Sequence, residues 1–357
     1  MTDERFPLEA QADLPGVPYA SIRQAILSTA QSSGLEVLED REPNLTVKTA
    51  HGLIGLRPGH AASTAGMVAA TDARRLFVMK DAVVSQMKRM MPEVAHAMRW
   101  SDGDVEGSLP PNFQFVRVID VQAVGSVFVR VTLSGESLSS YGTDSIHFRL
   151  LQPAKGIEPE WPALAANGTT TWPQGPGAVH KPVYTARAVD HSAGHLVTDV
   201  FLHQGGRTTA WAQELLAGER HREVVGVVGP SGGGLLHADR VLMASDETGF
   251  PAVARLLENL PEHAVGALYL EAVEGEACAY PLVAPAGISV HWLSRRRGER
   301  LIDAAGEALS RHRDASVWFA GERDDARALR ETAKADGWDP KALRISGFWR
   351  RASSGLL

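Results

Sequence analysis

The spacing of apolar residues divides this 357-residue chain into three stretches of different period. In the first, up to Gly107, Ile22, Ala25, Ile26 and Ala30 recur at helical spacing and predict an amphipathic helix over 20–33. LEVLED, LTVKTA and HGLIGLRPG then alternate, which predicts a small antiparallel sheet. RRLFVMK, 74–80, reads as a further strand. Residues 81–100 read as a helix interrupted near Pro92, whose ring cannot continue the hydrogen-bond ladder. The acidic, glycine-containing SDGDVEGSLPPN, 101–112, reads as a linker.

The second stretch is strand-rich. FQFVRVIDVQ and VGSVFVRVTLS predict a hairpin, SIHFRLLQP a third strand, and VYTARAVD, HLVTDVFLHQG and EVVGVVG three more. A long loop with four prolines, 161–182, and one helix, TTAWAQELLAGE, interrupt them. Many short strands with a single helix predict a closed antiparallel barrel. In the third stretch VLMA, GALYLEA, ISVHWL and VWFAGE alternate with helical patterns at 251–260, 299–312 and 325–337, which predicts an open parallel sheet. The expected fold is therefore multidomain, α+β and α/β. A small α+β domain spans 1–107, an antiparallel barrel 108–238 and an α/β parallel-sheet domain 239–357.

Composition narrows the class. A 44% hydrophobic chain with net charge −6 has real cores and no general affinity for nucleic acid. MTDERFPLE is not a secretory signal, and no apolar run reaches the length of a membrane span. The single cysteine, Cys278, excludes an intrachain disulfide framework and a cysteine-ligated cluster. These points predict a cytoplasmic protein. The 13 histidines form no HExxH-type set, so no metal centre is expected. No nucleophile elbow flanks Ser231 or Ser245, and no catalytic base or nucleophile is assigned.

The chemistry concentrates in five motifs. VLMASDETGFPAV, 241–253, reads as strand, turn and helix, the layout that holds a dinucleotide phosphate at a helix amino end, with Asp246, Glu247 and Thr248 where a glycine-rich loop usually stands. The others are KPVYTAR (181–187), FLHQGGRTTAWAQ (201–213), HWLSRR (291–296), and the pair VWFAGE (317–322) and GFWRR (347–351). In this order, over roughly 112–350, they resemble the siderophore-interacting proteins, ferric-siderophore reductases related to ferredoxin–NADP reductases.

The resemblance implies a six-stranded FAD-binding barrel followed by an NAD(P)-binding domain. Tyr184 would lie against the flavin ring, Thr185 near its N5, and Arg187 would match the last position of the flavin signature. Pro182 stands where the family has the first arginine, and Lys181 would supply charge there. His203, Gly205, Thr208, Thr209 and Trp211 would lie by the FAD, with Thr208 or Thr209 capping the helix. Asp246, Glu247 and Thr248 would meet the nicotinamide cofactor. Ser294 and Arg295 would read a 2′-phosphate, while Glu271 points toward a 2′-hydroxyl, so NADPH and NADH both stay open as donor. Arg296, Arg297, Arg350 and Arg351 would form a basic approach for an anionic ferric siderophore. His147 reads as a barrel-rim histidine, and Met87, Met90, Met91 and Met98 as packing. The N-terminal stretch, best in MMPEVAHAMRW, resembles a small domain family found alone or fused to such reductases; its protein partner is unknown. The implied function is reduction of ferric siderophores by NAD(P)H through FAD. The alternatives are a flavin-dependent reductase serving another acceptor and a non-catalytic siderophore-binding or regulatory protein.

Overall fold

The computed structural model describes residues 5–351 except 61–62, 104, 137, 139, 143 and 221, and gives no side-chain account of 32–33. Asp104, within the expected linker, lies outside the described residues. The chain forms two compact units, one of residues 1–113 with 153–179, the other of 114–152 with 180–357.

In the first unit, β1 (Leu8–Leu14), α1 (Tyr19–Ser33), β2 (Glu36–Arg41), β3 (Asn44–Lys48), β4 (Gly52–Pro58), β5 (Thr64–Ala70), α2 (Ala73–Met90) and α3 (Pro92–Ala97) follow one another. The strands make an antiparallel sheet of order β1-β5-β4-β3-β2. RRLFVMK is a correction: it lies inside α2. Leu76, Phe77, Met79, Lys80, Val84 and Met87 are its buried residues, a spacing of three to four, and Asp72 caps it by accepting from Arg75 N at 2.8 Å. The helix ends at Met91, and Pro92 opens α3 at a position where no N–H is needed. Met87 and Met98 are buried in this unit's core. β5, TAGMVAA, escaped the sequence pattern because its small residues give little alternation.

The second unit opens with the barrel. β6 (Phe113–Val124), β7 (Phe128–Ser134) and β8 (His147–Leu151) are followed by an excursion carrying the two-residue strands β9 (Ala163–Leu164) and β10 (Thr170–Thr171), which groups with the first unit. β11 (Val183–Thr185), β12 (Ala188–Asp190), β13 (His195–Phe201), α4 (Arg207–Leu216) and β14 (Val224–Ser231) complete it. The sheet order is β11-β8-β14-β6-β7-β13-β12. Seven segments stand where six strands were expected, because the run VYTARAVD breaks at Ala186 and Arg187. Its halves sit on opposite edges of the sheet: Ala186 N bonds Ile146 O and Arg187 N bonds Val197 O, both at 2.8 Å. One bent strand thus closes the sheet on itself and removes both edges. Its interior is filled by Val129, Val131, Leu133, Phe148, Leu150, Leu196 and Val227.

β15 (Arg240–Asp246), α5 (Phe250–Leu257), β16 (Val265–Ala272), β17 (Gly287–Ser294), α6 (Leu301–Arg311), β18 (Ser316–Glu322), α7 (Arg323–Ala335) and β19 (Leu343–Trp349) follow. The five strands are all parallel, in the order β17-β16-β15-β18-β19. Counted from β15, this is 3-2-1-4-5, a doubly wound sheet whose direction of growth reverses between β15 and β18. Ligands bind such sheets at that reversal, beyond the carboxyl ends of the strands. Among the described residues no helix is long and apolar enough to cross a membrane.

Candidate cofactor and substrate site

The D-E-T turn sits at the reversal point. β15 is buried from Val241 to Asp246, so its end is fixed in depth. Asp246 caps the short 3₁₀ turn that follows: its Oδ1 accepts from Thr248 N at 3.0 Å and from Thr248 Oγ1 at 2.5 Å. Its Oδ2 accepts from Trp349 Nε1, at the end of β19, at 2.6 Å. A β-carbon on Gly249 would lie 2.2 Å from Ser245 Oγ and 2.9 Å from Ala320 Cβ, so only glycine fits there. The neighbouring Phe250 is fully buried and fills the space beside Phe128, Tyr280 and Trp292.

Around this turn lies a cavity of about 860 Å³. Ser126, Val127, Phe201 and His203 line it from the barrel, and Asp246, Thr248, Glu271, Arg295, Arg350 and Arg351 are among its residues from the parallel sheet. The two carboxylates of the turn differ in role. Glu247 is buried and holds Arg295: Arg295 Nη1 donates to Glu247 Oε2 at 2.7 Å and to Glu271 Oε1 at 3.0 Å. These pairs hold the Arg295 guanidinium above its ordinary pKa even though its partial burial acts the other way. Glu271 also caps α6 by accepting from Leu301 N.

Burial pushes the Asp246 carboxyl up to about 6, against the hydrogen bonds from Thr248 and Trp349. An acid whose pKa is raised in the folded state binds its proton more tightly there. Its stabilising contribution is full below the ordinary carboxylate range and is lost as pH rises through about 6. Asp246→Asn removes the titration. The stability difference between wild type and this variant, followed by urea unfolding, is expected to move by about 2–3 kcal/mol against the wild type between pH 4 and pH 7. A difference that stays flat would show an unperturbed carboxyl.

On the barrel, Tyr184 and Thr185 lie on β11 beside β8. Tyr184 is half-buried, burial pushes its hydroxyl up to about 12, and that hydroxyl is in hydrogen-bond contact with Thr208. Thr208 Oγ1 donates to Gln152 Oε1 at 3.0 Å. Gln152 Nε2 is buried with no partner among the described residues. It stands at the amino end of α4, where Gly206 is the cap and no side chain caps the helix. Burial and the nearby Arg207 charge depress the His180 pKa, so the positive charge at this end is that of Arg207 and not of the imidazole. Lys181 is here too, its carbonyl accepting from Arg149 Nη1 at 3.2 Å. A flavin dinucleotide needs a flat aromatic support and a donor-rich, positive seat for its pyrophosphate. Tyr184, the unpaired Gln152 amide and the amino end of α4 fit that group.

Thr185 Oγ1 lies 3.2 Å from His147 Nδ1. Burial and the Arg255 charge depress His147 to about 4, so the ring is neutral at physiological pH and meets Phe348 edge-on at 5.4 Å. Arg187 turns toward α5, where its Nη1 donates to Glu258 Oε2 at 2.7 Å. His203 and Gly205 lie in the loop before α4, with His203 on the cavity wall.

Several expectations are corrected. Thr208 and Thr209 do not cap α4: Thr208 bonds Gln152, and Thr209 Oγ1 accepts from His203 N at 3.1 Å. Trp211 is buried in the barrel core with Nε1 on Glu223 Oε2 at 2.8 Å, so its ring is used for packing. Ser294 is buried, and its hydroxyl donates to Val273 O at 3.1 Å. The basic set divides. Arg350 and Arg351 line the cavity, whereas Arg296 and Arg297 do not: Arg296 pairs with Glu274 at the cavity's margin and Arg297 with Glu299. Gln152 and Arg300 stand outside the sequence motifs, and Arg207 and Trp349 stand inside them without an expected site role, because each is placed at the site by contacts across the fold and carries no local spacing signal.

Comparison with known proteins agrees with this arrangement. A family described as "Siderophore-interacting FAD-binding domain" matches residues 117–234, and one described as "Siderophore-interacting protein" matches residues 238–352. The NADPH-dependent ferric-chelate reductase of Escherichia coli (strain K12) is 28% identical over 248 residues, covering 66% of this chain and 92% of that protein. A protein of Mycobacterium tuberculosis (strain ATCC 25618 / H37Rv) is 32% identical over 196 residues, covering 49% of this chain and 68% of its own. The crystal structure of a siderophore utilization protein from T. fusca superposes with a TM-score of 0.54 at 25% identity, covering 71% of this chain and 98% of that one.

Proposed function

Since the chain belongs to the siderophore-interacting protein family, we propose that it is an FAD-dependent NAD(P)H oxidoreductase that reduces ferric siderophores and so releases Fe(II). The observation that carries this reading is the cavity walled by both the barrel and the carboxyl ends of the parallel sheet. A cofactor held by the barrel and a donor held by the sheet meet there. Bound FAD would supply the conversion between a two-electron hydride donor and a one-electron acceptor, Fe(III), whose hard oxygen ligands hold Fe(II) less tightly.

The chain's own residues bind and orient. Tyr184 would support the flavin ring, and Thr185, whose hydroxyl is held by His147, would offer that hydroxyl to it. Gln152, Lys181, Arg207 and the amino end of α4 hold the pyrophosphate. Asp246, Thr248 and Trp349 form the sheet side of the cavity, where the nicotinamide enters. Arg295 fixes the acidic floor made by Glu247 and Glu271. Arg350 and Arg351 draw an anionic chelate toward the opening. On this reading residues 108–238 form the FAD-binding domain and 239–357 the nicotinamide domain, and the reaction runs in the cytoplasm with NADPH or NADH as donor.

An anaerobic absorbance titration tests it. FAD is added to the purified protein, then NADPH or NADH, then a ferric siderophore. The expected result is flavin absorbance that bleaches with one nicotinamide and returns as Fe(II) forms. A protein that takes up no FAD would overturn the reading.

A further inference from the structure

The connection from β16 to β17 joins two parallel strands, a connection usually made by a crossover helix. Here residues 273–286 contain only a single 3₁₀ turn, Gly275–Cys278. That segment reaches the barrel and fastens to it at two points. Tyr280 Oη donates to Asp199 Oδ2, on β13, at 2.6 Å. Two residues earlier, the Cys278 carbonyl accepts from Ser126 N at 2.9 Å and from Ser126 Oγ at 3.1 Å, in the turn between β6 and β7.

Each fastening is built to be stiff. The Asp199 side chain is completely buried and is held in a fork by Arg130 of β7, Nε to Oδ1 at 2.7 Å and Nη2 to Oδ2 at 2.8 Å. A bidentate, charge-assisted pair fixes both the position and the plane of the carboxylate that receives Tyr280. The Tyr280 ring is 4% exposed and packs 4.6 Å from Phe128 and 5.7 Å from Phe250. At the second point Gly125 adopts φ +55°, and a β-carbon there would stand 2.5 Å from Cys278 O. The barrel turn has been left without a side chain where the segment presses on it.

Ser126, Val127 and Phe201 on the barrel side of the cavity, and Val273 and Cys278 on the sheet side, all border these two fastenings. At this side of the cavity the walls are therefore held together by the segment that replaces the crossover helix, while Arg255 and the Arg187–Glu258 pair tie the barrel to α5. We propose that Tyr280 is a positioning residue for hydride transfer: through Asp199 it holds the nicotinamide side of the cavity at a fixed distance from the flavin side. The inference rests on the reductase reading given above. It concerns only the step that crosses the cavity, since hydride transfer falls steeply with small misplacement of the reacting atoms. Electron delivery to a ferric chelate, drawn in by Arg350 and Arg351, needs no atom-to-atom alignment of the two walls, so a small shift of the sheet side leaves it nearly unchanged.

Full-length Tyr280→Phe protein keeps the ring in its aromatic cluster and loses only the hydroxyl. It is loaded with FAD and mixed anaerobically with saturating NADPH in a stopped-flow spectrometer. Separately, its flavin is photoreduced and mixed with ferric citrate. The expected result is flavin bleaching by NADPH at least about fivefold slower than wild type, as expected for a modest misplacement of the reacting atoms. Re-oxidation by ferric citrate and the FAD dissociation constant should each stay within about twofold of wild type, because neither depends on that separation. Unchanged bleaching overturns the inference while leaving the reductase reading in place. An equal fall in both half-reactions also overturns it, because general loosening of the fold gives that pattern. A wild-type protein that takes up no FAD overturns the reductase reading and this inference with it.

Discussion

Tyr184→Ala is expected to raise the FAD dissociation constant about 10- to 100-fold, the loss that follows when one aromatic stacking partner worth about 1–3 kcal/mol is removed. Tyr184 is half-buried on β11, its ring packed beside the barrel core and its hydroxyl in contact with Thr208. On the proposed reading the same ring serves both ends of the cofactor seat: its face would be the flat support, and its hydroxyl joins the Thr208–Gln152 chain at the amino end of α4. Tyr184→Phe separates the two contributions. It keeps the face and removes the hydroxyl, and is expected to bind FAD within about threefold of wild type, the size of one modest hydrogen bond. Quenching of FAD fluorescence on titration measures both variants. If Tyr184→Ala binds FAD as wild type does, the flavin does not lie on this ring.

A second large effect is expected at Arg255, which no motif singles out. This arginine of α5 is 8% exposed, and its guanidinium donates to three backbone carbonyls: Ala186 O, Tyr141 O at 3.0 Å and Gly142 O at 2.6 Å. Burial and the neighbouring Arg187 charge lower its pKa from the ordinary arginine value, with Glu258 opposing. Ala186 is the residue at which the barrel-closing strand bends, so Arg255 ties α5 to that closure. Arg255→Met keeps the length and takes this donor from three acceptors, two of them buried and the Gly142 carbonyl partly so. Each unsatisfied acceptor costs about 1–3 kcal/mol, partly offset by no longer burying a charge, for a net loss of about 3 kcal/mol. That corresponds to a melting temperature roughly 6–12 °C lower for the unit that contains it. Arg255→Lys keeps the charge but cannot fork, and is expected to lose about half as much. Calorimetry of the two variants checks this. Melting within about two degrees of wild type for both would mean that the carbonyls find water and that α5 is held by its apolar face alone.

The contrast between Tyr184 and Arg255 marks what kind of residue a sequence can display. Tyr184 stands in a motif whose residues are consecutive, so its neighbours in the chain are its neighbours in space. Arg255 has the opposite character: it looks like one polar residue of an amphipathic helix, and its acceptors lie 69 to 114 residues away in the chain. Arg295 and Trp349 are intermediate. Their motifs were legible, but Arg295 had been expected to meet a phosphate, and in the fold it is held by Glu247 and Glu271. Trp349 is brought to Asp246 only because β19 joins the sheet beside β18.

The sequence by itself determined most of the elements and their order, though not β1, β5, the start of α2 or β19. Helical spacing, strand alternation and the change of period near residue 239 each arise from contacts within a few residues, and a single chain displays them directly. It also determined the D-E-T turn, because a buried strand that ends in an Asp cap before a helix is a local arrangement. RRLFVMK failed as a strand because a short apolar run carries too little period to choose between strand and helix. Only packing against β5 and the core selects the face that α2 buries. The tertiary structure alone decided which strand closes the barrel and which arginines are spent on internal carboxylates. It also decided that a helix-free connection reaches the barrel through Tyr280. Those outcomes depend on which distant groups meet after burial, and the energy of a buried charge or hydrogen bond is set by its partner, wherever in the chain that partner lies.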